Sequence, residues 1–157
     1  MQKIFIANRG AIARRVVRAC HELGLQSVVV FSEADADAPY LAEASEAYPL
    51  VGNTPSQTYL NQAVLLAIAK DCGADAVHPG YGFLAENAEF AQAVLDHGMV
   101  FIGPRPEWLT RMGDKVAARR LMAQHGFPVF PGSEPVSYTH LTLPTSCGQC
   151  SSRGGAG

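Results

Sequence analysis

Residues 78–87 read HPGYGFLAEN. Three of these side chains are titratable: the His78 imidazole, the Tyr81 phenol and the Glu86 carboxylate. Pro79 biases His78 towards extended backbone. Gly80 and Gly82 permit backbone angles and close approaches that other residues resist, while Tyr81 and Phe83 add apolar bulk. Such a loop is either one wall of a ligand cleft or a structural corner folded over its own aromatics, with His78 a satisfied structural histidine. Residue types alone leave both readings open.

Other stretches are weaker. In ANRGAIARR (residues 7–15) a strand pattern meets a glycine and then a helix start, where free N–H groups and the positive dipole end suit an anion. There is no G-x-G-x-x-G, so a dinucleotide site is not expected, and Arg9 is expected to pair with a carboxylate across the sheet edge. In MGDK (residues 112–115), Lys115 falls in a first helical turn, which mildly disfavours a cation. Taken alone it reads as a solvated lysine. Arg18 and Glu22 form an i, i+4 pair in the weaker orientation, worth little to their own helix, so either could reach a neighbouring subunit. The five histidines lack metal-ligand spacing. Cys20 and Cys72 read as small buried hydrophobes. Cys147 and Cys150 form a CxxC with neither a second ligand pair nor a βαβ context, so no metal or redox role is expected.

These residues need elements to hold them. Lys3–Asn8 is apolar on both faces, as a buried parallel strand is. A helix follows from Gly10 to Leu23, with Ile12, Val16, Ala19, Cys20 and Leu23 on one stripe. Strands are expected at Ser27–Phe31, Ala47–Val51 (an edge, because of Pro49), Ala74–His78 and Met99–Ile102. Helices are expected near Tyr40–Ala44, at Tyr59–Cys72 with Leu60, Val64, Ala67, Ile68 and Cys72 inward, and at Asn87–His97 with Phe90, Ala93 and Val94 inward. Two more follow, from Pro106 to Gly113 and over Lys115–His125 behind the N-cap Asp114. This alternation predicts an α/β fold, a parallel sheet with helices on both faces. Ligands of such sheets bind beyond the strands' carboxyl ends, where both Asn8–Gly10 and the His78 loop fall.

The chain has 157 residues, 48% hydrophobic, with a formal net charge of -2. That predicts one modest domain with a real core, without the charge that attracts nucleic acid or anionic membranes in bulk. No apolar run reaches the roughly 18 residues needed to span a bilayer. Nothing resembles a signal peptide, so a cytoplasmic location is expected, or a mitochondrial matrix if a targeting segment is missing. After Val136 the sequence is rich in Ser, Thr and Gly and loses periodicity. Residues 137–157 are expected to be disordered or foreign to the domain.

Three stretches together, KIFIANRGAIARRVVRAC, AVHPGYGFLAENAEFA and FIGPRPEWLTRMGDKVAARRLM, resemble the N-terminal part of the biotin carboxylase component of biotin-dependent acyl-CoA and pyruvate carboxylases. The resemblance covers about Lys3–Val136. It implies an ATP-grasp ligase that activates bicarbonate with ATP as carboxyphosphate and carboxylates biotin. It implies a Rossmann-like pre-ATP-grasp domain over residues 1–113 and the beginning of the ATP-grasp domain over 114–136. It further implies that Lys115 contacts nucleotide phosphates, that His78, Tyr81, Gly82, Phe83 and Glu86 face the cleft, and that Arg18 and Glu22 lie at a dimer interface.

The cofactors implied are ATP and Mg2+ or Mn2+, with biotin as the carried substrate. The partners implied are biotin carboxyl carrier and carboxyltransferase domains or subunits, plus a second copy in the full-length protein. Neither catalytic residues nor metal ligands of the family fall within this stretch, so the chain alone is expected to be inactive. The family usually reads A-N-R-G-E-I-A, and here Ala11 replaces the glutamate, a loss of up to ~1 kcal/mol of helix-dipole pairing. The alternatives are the N-terminal part of another ATP-grasp ligase, such as a carbamoyl-phosphate synthetase relative, or a non-catalytic dimerisation module.

Overall fold

The computed structural model describes residues 1–129, apart from the side chain of Lys115. Five parallel strands form one sheet: β1 (Lys3–Ile6), β2 (Gln26–Phe31), β3 (Glu46–Pro49), β4 (Ala76–His78) and β5 (Val100–Phe101). Their order is β3-β2-β1-β4-β5. The expected edge at Pro49 is therefore an edge, and the expected parallel α/β architecture is the one observed. The helices are α1 (Gly10–Glu22), α2 (Pro39–Glu43), α3 (Gln62–Asp71), α4 (Ala88–Asp96), α5 (Pro106–Gly113) and α6 (Lys115–Gln124).

The central strands β1, β2 and β4 alternate between two buried faces, which is why their sequences are largely apolar. Phe5, Val28, Val30 and Val77 share a cluster with Leu65, Leu66 and Ala69 of α3 and Phe90 and Val94 of α4. Ile4, Ile6, Val29 and Ala76 share the opposite cluster with Ala13, Val17 and Cys20 of α1 and Tyr40 of α2. Each fully buried Val, Ile, Leu or Phe contributes roughly 1.5–3 kcal/mol. Phe90 also meets Phe101 edge-on, with ring centroids 6.2 Å apart. The helix starts are fixed by side chains: Asn61 accepts from Val64 N–H at 3.2 Å, Asn87 from Phe90 N–H at 2.7 Å, and Asp114, as expected, from Val116 N–H at 2.8 Å.

Two helix faces depart from the sequence expectation. On α1 the buried stripe is Ala13, Val17 and Cys20, while Ile12 and Val16 are only half-buried and Ala19 and Leu23 are exposed. On α3 the buried residues are Leu65, Leu66 and Ala69, whereas Leu60, Val64 and Ala67 are exposed. The helix itself starts at Gln62 rather than Tyr59, and Tyr59 sits buried in the preceding turn. In α1 two adjacent stripes are apolar, and only the sheet decides which one it takes. The unused stripe, Ile12, Val16, Ala19 and Leu23, lines an apolar groove of about 450 Å³ together with His78, Tyr81 and Ile102. Helices α5 and α6 bury none of their described residues fully, although Leu109 packs against the core from α5.

Candidate functional site

The strand order places the switch point between β1 and β4: from β1 the chain winds towards β3, and from β4 it winds away towards β5. Crevices at such points, beyond the carboxyl ends of the strands, are where doubly wound sheets take ligands. The Asn8–Gly10 turn and the 78–87 loop flank this crevice, as the sequence predicts.

Here the crevice is bridged. The Asn8 side chain is fully buried. Its Nδ2 donates to the Pro79 carbonyl at 2.7 Å and to the Tyr81 carbonyl at 3.0 Å. Its Oδ1 accepts the Arg9 N–H at 2.9 Å. On the loop side, His78 Nδ1 accepts the Gly80 N–H at 2.9 Å, so the neutral ring carries its proton on Nε2. Burial pushes the His78 pKa below its ordinary value, which keeps the ring in this accepting form.

Part of the loop is the structural corner that its residue types allowed, and part of it is exposed. Pro79 and Leu84 are buried anchors. Phe83 stacks on Tyr59 at 5.4 Å, with the rings 18° apart. It holds φ at 40°, unlike any other described non-glycine residue. Gly80 and Gly82 have φ of 69° and 68°. Tyr81 is 70% exposed, and Glu86 is exposed as well. His78 is half-buried and lines the apolar groove beside Tyr81. The loop is thus a pinned corner that presents Tyr81 and Glu86 outward.

On the other side of β1, Arg9 pairs with a carboxylate, as expected: its Nη2 lies 2.6 Å from Asp35 Oδ1. Tyr59 Oη donates to Asp35 Oδ2 at 2.6 Å and accepts the Ser32 N–H at 2.9 Å. Ser32 Oγ donates to the same Oδ2 at 3.1 Å. The Arg9 guanidinium also lies 5.7 Å from the centre of the Tyr59 ring. Burial, with the bond to Asp35, raises the Tyr59 pKa and keeps its phenol a donor. This cluster borders a cavity of about 400 Å³ that is also lined by Asn53 and Thr54. Sequence reasoning missed Asn8, Asp35 and Tyr59. For Asn8 a signal existed: an amide continuing a wholly buried strand needs partners.

Arg18 and Glu22 are exposed on the outer face of α1. Arg18 Nε lies 3.5 Å from Glu43 Oε2 of α2. Glu43 also accepts two bonds from Arg14 Nε, at 2.8 and 3.0 Å, and one from its Nη2. These bonds hold the Glu43 pKa below the usual carboxylate value. Arg14, Arg15, Arg18 and Glu22 line one shallow surface. Lys115 begins α6, and its side chain lies outside the described atoms, as Cys147, Cys150 and the whole 137–157 segment lie outside the described residues. Among the described residues no three His, Cys, Asp or Glu side chains are gathered for a metal ion, and no described helix is long and apolar enough to cross a membrane.

Residues 1–109 match the family described as biotin carboxylase, N-terminal domain. A biotin carboxylase of Halalkalibacterium halodurans is 48% identical over 134 residues, 85% of this chain and 29% of that protein. The biotin-dependent acyl-coenzyme A carboxylase alpha3 subunit of Mycobacterium leprae is 50% identical over 135 residues, 85% of this chain and 23% of that protein. Mitochondrial pyruvate carboxylase of Mus musculus is 50% identical over 143 residues, 89% of this chain and 12% of that protein. Among solved structures, the biotin carboxylase domain of a single-chain bacterial carboxylase superposes with a TM-score of 0.81 at 46% identity, covering 85% of this chain and 31% of that one. A Hydrogenobacter thermophilus 2-oxoglutarate carboxylase biotin carboxylase domain dimer, in complex with MgADP, ADP and bicarbonate, gives 0.80 at 45%, covering 84% and 29%. The chain thus spans less than a third of each of these proteins.

Proposed function

The chain belongs to the biotin carboxylase N-terminal domain family, and from that premise we propose that it supplies one wall of the cleft in which an ATP-grasp ligase carboxylates carrier-bound biotin. Residues 1–113 are the Rossmann-like domain in this reading, and residues 114–136 begin the ATP-grasp domain. The observation that carries it is the place and shape of the HPGYGFLAEN loop. It is pinned at the switch point from beneath, while Tyr81 and Glu86 are left outward at the carboxyl edge.

In this reading each residue of the loop has a role. Tyr81 and Glu86 offer a hydroxyl and a carboxylate to whatever enters. Gly82 and Phe83 fix the turn, the latter through Tyr59. His78 is neutral and holds the corner, with Nε2–H as its remaining donor. Lys115 supplies a cation to the phosphates of ATP. ATP with Mg2+ or Mn2+ would activate bicarbonate as carboxyphosphate, through groups outside this chain. The relatives described above are carboxylases, which favours this reading over a carbamoyl-phosphate synthetase. Carrier and carboxyltransferase domains or subunits are the proposed partners, and the Arg18–Glu22 surface of α1 is the proposed contact with a second copy.

The test is a chimera in which residues 1–136 replace the matching segment of Bacillus subtilis biotin carboxylase 1, which is 46% identical. Bicarbonate-dependent ATP hydrolysis and carboxylation of free biotin are expected within about tenfold of the parent. The 157-residue chain alone is expected to show neither. A folded but inactive chimera, or turnover by the chain alone, contradicts the proposal.

A further inference from the structure

We propose that Asn8 is the positioning residue of the 78–87 loop, setting the direction in which Tyr81 is presented; its value to a cleft rests on the reading above. The assignment comes from hydrogen-bond accounting. The Pro79 and Tyr81 carbonyls can only accept, and the Arg9 N–H can only donate. A side chain joining all three must carry two N–H bonds and an acceptor within one short planar group. Asn8 does so with no polar atom to spare, at 2.7, 3.0 and 2.9 Å. Aspartate cannot donate to the two carbonyls, and serine cannot reach both.

The loop is shaped around this contact. The two carbonyls lie on either side of Gly80, and drawing both onto one amide goes with the left-handed Gly80 backbone, φ 69°. A Cβ on Gly80 would stand 2.5 Å from Asn8 Nδ2, so the amide and the glycine are fitted to each other. With its carbonyl held below, Tyr81 is left pointing outward. Asn8 thus ties the two sides of the switch-point crevice together.

The test compares the 157-residue chain with its Asn8→Ser and Asn8→Asp variants under native conditions. The readout is the rate of chymotryptic cleavage after Tyr81, set against amide exchange at Phe5 and Val29 as a measure of global stability. Val94→Ala, a fully buried site on α4, is the control for destabilisation alone. Cleavage after Tyr81 is expected to rise at least about tenfold beyond what global unfolding of each Asn8 variant allows, and not to do so in Val94→Ala. Cleavage that merely tracks global unfolding in all three overturns the assignment. Should the Asn8 variants fail to fold, Gly80→Ala presses on the same amide from the loop side and must open Tyr81 locally, and a fully protected Tyr81 there overturns it equally. Local opening together with an inactive chimera supports Asn8 and removes the cleft.

Discussion

The Cβ that Gly80 lacks would lie 2.5 Å from Nδ2 of Asn8 and 2.7 Å from Cγ2 of Ile12, whereas at Gly82 it would meet nothing within 4 Å. Both glycines have positive φ, so alanine at either carries roughly 1 kcal/mol of backbone strain. Only Gly80→Ala adds overpacking, about 1–3 kcal/mol more. Urea denaturation should therefore show a larger loss for Gly80→Ala than for Gly82→Ala. Equal losses would mean that the contact with Asn8 carries no energy.

Tyr59→Phe keeps the ring on Phe83 and removes only the hydroxyl. Ser32 N–H then loses its acceptor and Asp35 one of its donors. The expected cost is about 1–3 kcal/mol. Paired with Arg9→Ala in a double-mutant cycle, the losses should be non-additive, because both residues serve one carboxylate. Strict additivity would show that Arg9 and Tyr59 act independently.

His78 makes stability depend on pH in a definite direction. Its folded pKa is depressed, chiefly by burial. The unfolded chain therefore takes up this proton first as the solution is acidified. The contribution is complete above the ordinary histidine value and is lost as pH falls below it towards the folded value. Urea midpoints taken from about pH 7.5 to about 5.5 should fall more steeply in the wild type than in His78→Asn. Asparagine does not titrate and can still accept the Gly80 N–H. Parallel slopes would place the pH dependence elsewhere.

Helices α5 and α6 should open at lower free energy than the sheet. Neither buries a described residue fully, and the apolar residues Ala118, Leu121 and Met122 of α6 are only half-buried. Amides of α6 should exchange faster than those of Phe5 and Val29, by a factor measurable in native-state hydrogen exchange. Protection equal to β1 would show that α6 is an integral part of the core.

Arg18→Glu reverses a charge on the surface proposed to meet a second copy and places it beside Glu43. The effect on the folded monomer should stay within about 1 kcal/mol, because the pair is exposed. In the chimera, the sedimenting mass should fall from dimer to monomer at micromolar concentration. A dimer as tight as the parent would remove Arg18 from the interface.

The order of elements was legible because alternating apolar runs and glycine stops act locally. Pro49 marked an edge, and Asp114 marked a helix start. The faces of α1 and α3 were legible only in part: Cys20, Ile68 and Cys72 lie inward as expected, but most of each expected stripe does not. Ala13-Val17-Cys20 and Ile12-Val16-Ala19-Leu23 have the same helical spacing, and only the sheet distinguishes them. Within the site, the Arg9 carboxylate pair was foreseen in kind, but Asp35 could not be named from a run of acidic residues. Asn8 went unnoticed because its partners lie 71 and 73 residues away, beyond any periodicity. Phe83 was expected in the loop, yet its stacking on Tyr59 depends on how the turn before α3 packs.

The central place of β1 has a consequence for the order of assembly. Strands β1, β2 and β3, with α1 and α2, lie within the first 49 residues, so three of the five strands can pair while the rest of the chain is still being synthesised. Strand β4 must then close a long loop onto the far side of β1, a slower step. Asn8 emerges early with its amide unpaired, and it is satisfied only when the chain returns. The corner that displays Tyr81 thus needs β4 beside β1 before its Asn8 bonds can close, which ties its completion to the joining of the two parts of the sheet.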